Sequence, residues 1–420
     1  MSTVVAGLAY AQTVPDDVRH KPDSRARWRA RYLWDTLDKD PKERWFLFKL
    51  DAILLTLASL GYFVKNLDQT NLTNAYVSGM KEQLRMNGNE YNTAISIWTV
   101  GYIIGQVPSN LLLTRVSPRI WIPFLEFCWA LFTLGSYRIQ NVQQLYVMRF
   151  FVGLFDGMQY IVGSWYRADE QVKTTLGKRA VIFHTAGSMG QLFSGFLQSA
   201  TYDHLNGVHG LAGWRWLMII CFFISFPISV ANLVFLPDMP WKAKPNWMFT
   251  EEKLKLANTR LKKEGRAPAQ RISLAKVMLK FTVNGNAVTQ HVWVLPWLYV
   301  YWNNSVNLYN IMIFWLKAFN KPGKPPAYTV SQINLYPLPS LGVNIITAWI
   351  MAWISDGPLN GRRWPILAFA STWNGCIAIG LLAAPLYTHR ATRFVLYYLA
   401  GLSIGISGAV LLVVWGRVMF

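Results

Sequence analysis

The sequence has 420 residues, of which 53% are hydrophobic and 15% are charged, well below the roughly 25% charge of soluble domains. The net charge of +20 would suit a nucleic-acid-binding protein, but most Lys and Arg lie in alternate loops between apolar segments, as in membrane proteins with basic cytoplasmic loops. Composition and charge pattern therefore exclude a soluble domain and nucleic acid as a partner. They predict an all-α polytopic membrane protein.

Ten apolar segments follow a polar, Arg-rich tail of residues 1–45, which we expect in the cytoplasm. Each segment is close to the ~20 residues that cross a bilayer as a helix. The segments are 47–70, 92–113, 120–138, 144–166, 180–200, 214–236, 291–316, 330–353, 364–384 and 394–416.

The segments form two blocks. Six lie in residues 46–236 and four in residues 291–420, with a polar and basic loop, residues 237–290, between them. The distribution of Lys and Arg predicts that both ends of the first block face the cytoplasm. This layout is typical of a two-bundle transporter, in which the substrate binds near the membrane midplane between the halves.

The fourth segment carries two opposite charges, Arg149 and Asp156. Seven residues are almost two helical turns, so both side chains share a face and lie about 10 Å apart along the axis. A charge inside a membrane costs several kcal/mol unless it is paired or hydrated. The two residues either line a transport path or form a buried ion pair that joins helices.

Other charges lie in the first and third segments. Lys65 and Asp68 are three residues apart, so they share a helix face and we expect them to neutralise each other near the outer surface or to reach water. Glu126 has no obvious local partner. It either takes up and releases protons or is a protonated structural residue bonded to a neighbouring helix.

Polar amides lie in the seventh and eighth segments. Asn303 and Asn307 are one turn apart on one helix face, where they can hydrogen-bond an uncharged polar part of a substrate or hold helices together. Gln332 is a weaker candidate of the same kind.

The sequence lacks the patterns of several other classes of site. The three cysteines lie in separate apolar segments without metal-ligand spacing. No phosphate-binding glycine loop or Ser/His/Asp cluster is present. We therefore predict no metal, no cofactor, no ATP-driven transport and no enzyme activity.

Two motifs resemble those of major facilitator superfamily carriers. Arg149-Phe-Phe-Val-Gly153 resembles the fourth-helix motif whose Arg lies in the transport path. The loop containing Asp356, Gly361, Arg362 and Arg363 resembles the superfamily's acidic-then-Gly-Arg-Arg loop, although Asp356 and Gly361 are five apart where the common pattern has three. The loop after the second segment keeps only basic residues, such as Arg115. The resemblance implies a two-bundle fold and a conformational gate at these two loops.

Longer strings are similar to the fungal allantoate permease branch of anion:cation symporters, and most similar to pantothenate:proton symporters. Two departures from that branch stand out. About four residues are missing between Asp156 and the following Gly-Met-Gln-Tyr string, and ten spans are expected where the family has twelve. The similar strings are Tyr62–Asn71, Ala75–Glu82, Pro108–Asn110, Gly157–Tyr160, Gly163–Tyr166 and Trp214–Trp216.

The resemblance implies proton-coupled uptake of a small organic anion such as pantothenate, by a monomer in the plasma membrane with a cytoplasmic N-terminus. Its partners would be a small carboxylate, protons and membrane lipid. An exporter of a metabolite or drug on the same fold, or a shortened carrier that no longer transports, are the alternatives. Arg149, Asn303, Asn307 and Gln332 are the expected substrate ligands, and Asp156, Glu126, Asp68 and Lys65 the expected proton-coupling residues.

Overall fold

A computed structural model describes most of the chain after the N-terminal tail. Every regular element within the described residues is a helix, which confirms the predicted all-α class. The described residues are 41–113, 115–170, 176–238, 251–252, 254–255, 297, 311–320, 325–356, 358–359, 362 and 364–403.

Six long helices form the first block, and each overlaps one predicted segment. The first, fourth and fifth helices extend beyond the predicted limits at both ends, because hydropathy marks the lipid-embedded part of a helix, whereas backbone hydrogen bonding continues into its polar ends. The third ends three residues, and the sixth one residue, before the predicted limit. The last turns before residue 81 are a π-helical stretch, Tyr76–Met80, which continues α1. The helices are α1 (Pro41–Ala75), α2 (Glu90–Leu113), α3 (Pro118–Gly135), α4 (Val142–Glu170), α5 (Leu176–Leu205) and α6 (Gly213–Phe235).

The second block contains five described helices. The predicted eighth span divides into two at Tyr336 and Pro337, because proline has no N–H to continue the helical hydrogen bonding. Most of the predicted seventh span and of the middle loop lie outside the described residues, and the domain limits stay predictions. The helices are α7 (Ile311–Lys317), α8 (Val330–Leu335), α9 (Leu338–Asp356), α10 (Trp364–Ala383) and α11 (residues 390–403).

Four stretches of the described chain are long and apolar enough to cross a membrane by length and composition alone. These are Pro118–Arg138, Gly213–Phe235, Val330–Ser355 and Trp364–Ala383. The longer helices α1 and α4 carry buried charged side chains, which lower their average hydropathy without exposing charge to lipid.

Helix α5 packs against both blocks. On its α1 side, a Cβ added to Gly190 would collide with the carbonyl oxygen of Phe63, so the two backbones touch, as small residues allow in membrane helices. On its other side, the amide of Asn344 in α9 donates a hydrogen bond of 3.2 Å to the Ser188 hydroxyl.

The C-terminal end of α1 meets α7. Lys317 at the end of α7 donates to the backbone oxygens of Tyr76 (3.2 Å) and Val77 (3.4 Å) and lies 3.5 Å from the Glu82 carboxylate. Phe314 packs edge-on against Tyr76. Helices of the two predicted bundles therefore contact each other both along α5 and at this end of α1.

Candidate functional site

Two basic and two acidic side chains meet between α1 and α4. Lys65, Asp68, Arg149 and Asp156 have exposed fractions of 8%, 4%, 5% and 3%, so all four are buried. Lys65 Nζ lies 3.3 Å from Asp156 Oδ1, and Arg149 interacts electrostatically with Asp68. We call these residues the charge quartet; their formal charges sum to zero.

The pairing differs from the one predicted for α1. Lys65 forms its ion pair with Asp156 of α4 rather than with its neighbour Asp68. In both helices the base precedes the acid along the sequence. Lys65 lies beside Asp156 and Asp68 interacts electrostatically with Arg149, as expected of two helices that run antiparallel. The quartet thus joins the helices, and this property alone is equally compatible with a structural and a transport role.

Helix α2 supplies a further partner for Lys65. The Lys65 ammonium donates to the Tyr102 hydroxyl at 3.2 Å and lies 4.6 Å from the centre of its ring. The contact combines a hydrogen bond with a cation–π interaction, which is strengthened where water is excluded. Lys65 is therefore held by both α2 and α4.

Two glycines bring α4 against α2. A Cβ added to Gly153 would collide with the carbonyl of Trp98, and one added to Gly157 with the carbonyl of Tyr102. Glycines four residues apart allow such close backbone contact in membranes. Because Asp156 directly precedes Gly157, this contact fixes the depth and rotation at which its carboxylate meets Lys65.

Asp68 is surrounded by hydrogen-bond donors. Its Oδ2 accepts from the indole N–H of Trp129 (2.5 Å) and the hydroxyl of Thr133 (3.2 Å), and its Oδ1 accepts from the Asn71 amide (3.2 Å). Both oxygens of Asp68 therefore have hydrogen-bond donors from α1 and α3 in addition to the electrostatic interaction with Arg149.

Arg149 has hydrogen-bonding capacity left over. Its buried Nε has no hydrogen-bond partner among the described residues, although the guanidinium interacts electrostatically with Asp68 and with Tyr91 of α2. Tyr91 is in turn hydrogen-bonded to Thr73 of α1 at 2.9 Å. A guanidinium with an unused N–H is suited to a carboxylate, which it binds through charge-assisted hydrogen bonds.

Glu126 lies at a different helix contact. Its Oε2 accepts a 2.7 Å hydrogen bond from the Asn232 amide of α6, and one turn earlier Ser229 donates to the carbonyl of Pro123. This is the arrangement of the structural alternative, a glutamate bonded to a neighbouring helix.

Gln332 lies at the start of α8. Its side chain accepts from the backbone N–H of Thr329, while the Thr329 hydroxyl accepts from the backbone of Gln332. The two residues form the capping box of α8, which satisfies N–H groups at the start of a helix. Gln332 therefore has a structural role in this helix cap, and its role as a substrate ligand stays a prediction.

Several predicted residues keep the status of predictions. Asn303 and Asn307 lie outside the described residues, as do Gly361, Arg363 and the side chain of Asp356. Arg115, directly after α2, and Arg362 are exposed, as expected of loop residues. The structure does not bring the two gate loops together among the described atoms.

Sequence reasoning missed Trp129, Thr133 and Tyr102 as partners of the quartet. A tryptophan or tyrosine in an apolar segment usually belongs to the core or to the membrane interface. A usable signal was the spacing of Trp129 and Thr133, which places an N–H and an O–H one turn apart on one face of α3.

Within the described residues, no three His, Cys, Asp or Glu side chains are grouped as metal ligands would be.

The sequence profile of the Major Facilitator Superfamily matches residues 58–419. The chain belongs to this superfamily. It is therefore a multi-pass membrane protein of a transporter family rather than an enzyme.

Among solved structures, it is similar to the proton:xylose symporter XylE, with a TM-score of 0.63 and 15% sequence identity over 87% of this chain and 82% of that one. XylE of E. coli in a partially occluded inward-open conformation matches with a TM-score of 0.60 at the same identity, over 88% of this chain and 85% of that one. At this identity the likeness shows the fold alone.

The similar sequences include fungal transporters. The chain is 33% identical to the pantothenate transporter FEN2 of Saccharomyces cerevisiae, over 90% of this chain and 72% of that protein. It is 33% identical to the pantothenate transporter liz1 of Schizosaccharomyces pombe, over 81% of this chain and 64% of that protein. It is 35% identical to the transporter PfmaC of Pestalotiopsis fici, over 83% and 62%. The chain therefore spans less than two thirds of the length of the last two.

We predict that the Lys65–Asp156 pair shows strong coupling in a double-mutant cycle. Lys65→Met or Asp156→Leu alone leaves one buried charge unpaired, which costs about 3–5 kcal/mol, whereas the double variant removes both charges and recovers most of that loss. Thermal unfolding of the purified protein in detergent measures the effect. Additive destabilisation by the two substitutions would contradict the pairing.

Proposed function

We propose that the protein takes up a small organic monoanion together with one proton, and that pantothenate is the first substrate to test. The observation that carries this proposal is a buried, electrically neutral charge quartet in which Arg149 retains an unpartnered N–H. The names of the relatives FEN2 and liz1 support pantothenate as the anion.

Arg149 is the proposed ligand of the substrate carboxylate. A carboxylate that approaches Arg149 competes with Asp68 for the same guanidinium, with which Asp68 interacts electrostatically. Asp68 can yield this partner because its two oxygens accept hydrogen bonds from Trp129, Thr133 and Asn71. The substrate can therefore bind without leaving the Asp68 carboxylate unsatisfied.

The need to keep the quartet electrically neutral would couple proton uptake to substrate binding. The empty quartet is neutral, and a substrate monoanion would give it a net charge of −1 in a region with little water. A net charge is costly to bury, and uptake of one proton restores neutrality. This coupling does not require an ion pair between Arg149 and Asp156, because Arg149 interacts electrostatically with Asp68 among the described residues.

Asp156 is the proposed proton carrier. Its described charged partner is Lys65, which keeps the Tyr102 hydroxyl as a second partner when Asp156 is neutralised. Asp68 is less suited because three donors face it, and Glu126 is less suited because it bonds to Asn232 at a separate contact. The proposal therefore assigns the anion to Arg149 and the proton to Asp156.

The transport cycle would be alternating access between the two bundles, with the loops at Arg115 and Asp356 to Arg363 as the gate on one side. Because most basic loops fall on the side of the N-terminal tail, we place that tail in the cytoplasm. Residence in the plasma membrane follows from uptake of an external nutrient and belongs to the same proposal.

We predict that Arg149→Ala lowers pantothenate uptake about 100-fold, because the substrate carboxylate loses its buried charged partner. The measurement is uptake of labelled pantothenate by cells that lack their own pantothenate uptake. Arg138→Ala, which removes an exposed arginine, is the matched control and should retain uptake. Equal uptake by wild type and Arg149→Ala would overturn the substrate assignment.

We predict that Asp156→Asn uncouples the proton from the anion. The variant should exchange internal for external pantothenate but should no longer accumulate it against a gradient when the external medium is acidified, because the amide cannot take up a proton. Glu126→Gln should keep both activities, since its amide oxygen can still accept from Asn232. Proton-driven accumulation by Asp156→Asn, or its loss in Glu126→Gln alone, would contradict the assignment.

A further inference from the structure

Gln198 of α5 is a fully buried side chain whose amide nitrogen and oxygen both lack a hydrogen-bond partner among the described residues. Asn334 of α8 is also buried, and its Oδ1 is likewise unpartnered. Buried polar atoms in proteins are nearly always paired. Three unpartnered polar atoms therefore lie on two helices that pack against each other, and a bound ligand could supply their hydrogen-bond partners.

The helix contacts bring these atoms to one place. Gly195, one turn before Gln198, packs against Asn334, and the Asn334 amide donates to the Ser78 hydroxyl at the end of α1 (3.1 Å). Ser194 bonds to Asn71 and Asn74 of α1, so Gln198, one turn further along α5, lies on the α5 face that is turned toward the end of α1. We call Gln198, Asn334 and Ser78 the amide chamber.

The unpartnered atoms define the chemistry of the missing ligand. Gln198 Oε1 and Asn334 Oδ1 require hydrogen-bond donors, and Gln198 Nε2 requires an acceptor. A carboxylate has no proton to donate and would face two oxygens. A hydroxyl or amide group carries both a donor and an acceptor and satisfies the chamber.

We propose that the amide chamber binds the uncharged, hydroxyl- and amide-bearing end of the substrate. Arg149 interacts with Tyr91, whose ring lies 4.3 Å from that of Tyr76, two residues before Ser78. The cation and the chamber therefore flank the same part of α1. This inference rests on the proposed function: Arg149 takes the charged end of the molecule and Gln198 the neutral end.

The test uses ligand-induced shifts in the thermal unfolding of the purified full chain in detergent. Three probes separate the two ends: pantothenate, its neutral alcohol analogue in which the carboxylate is reduced to a primary alcohol, and hexanoate, a plain carboxylate. Gln198→Met keeps the side-chain volume and removes the amide. Asn374→Leu is the matched control, because it also removes a buried amide with an unpartnered atom, but in α10.

Gln198→Met should weaken binding of the alcohol analogue roughly 3- to 10-fold and leave hexanoate unchanged, while Asn374→Leu changes neither affinity. The empty Gln198→Met protein should unfold at the same temperature as wild type or higher, because an unpaired buried amide has been removed. Arg149→Ala should show the opposite selectivity: weaker pantothenate and hexanoate, unchanged alcohol.

Three results would overturn the amide chamber: no binding of the alcohol analogue to wild type, unchanged alcohol affinity in Gln198→Met, or an equal loss for hexanoate. The last result, or a lower unfolding temperature of the empty variant, would make Gln198 a structural residue. Failure of the proposed function is distinguishable, since it would leave pantothenate affinity unchanged in Arg149→Ala while Gln198→Met still weakens the alcohol.

Discussion

Four charged side chains lie between α1 and α4 in a protein that crosses a membrane, and they can remain there only while their charges balance. Each buried charge would cost several kcal/mol alone. The Lys65–Asp156 ion pair and the electrostatic interaction of Arg149 with Asp68 reduce that cost. The same constraint gives the site its proposed chemistry, because any anion that enters must bring a compensating charge.

The packing of α4 and α5 against their neighbours holds this balance in place. Gly153 and Gly157 allow α4 to approach α2, which puts Asp156 beside Lys65 and Tyr102. Gly190 performs the same function between α5 and α1. Larger residues at these positions would move the charges relative to one another. The electrostatic interactions of the quartet therefore depend on the close backbone contacts at these glycines.

The sequence predicted the helical class and six helices in the first block. It also located the four charged residues of the quartet, because charges in apolar segments are conspicuous. It did not predict their pairing. Lys65 and Asp68 share a face of one helix, and only the position of α4 reveals that Lys65 pairs with Asp156 instead. The sequence did not predict Trp129 as a partner of Asp68, because the hydrogen bond from its indole N–H depends on how α1 and α3 pack together.

Neutral amides were also hard to rank from the sequence. The sequence analysis named Gln332, which caps α8, and did not single out Gln198, which lies buried without a described partner. The difference depends on helix ends and on neighbours from other helices, which sequence periodicity does not contain. Charged residues could be located from sequence, but the division between structural and binding amides required the fold.

The most direct test of the neutral quartet is the charge that moves with the substrate. Pantothenate uptake into proteoliposomes containing the purified protein can be followed at fixed pH gradients while potassium and valinomycin set the membrane potential. A quartet that admits one monoanion with one proton predicts uptake that is driven by an inward proton gradient and is insensitive to the potential. Uptake driven by the membrane potential in the absence of a pH gradient would contradict it.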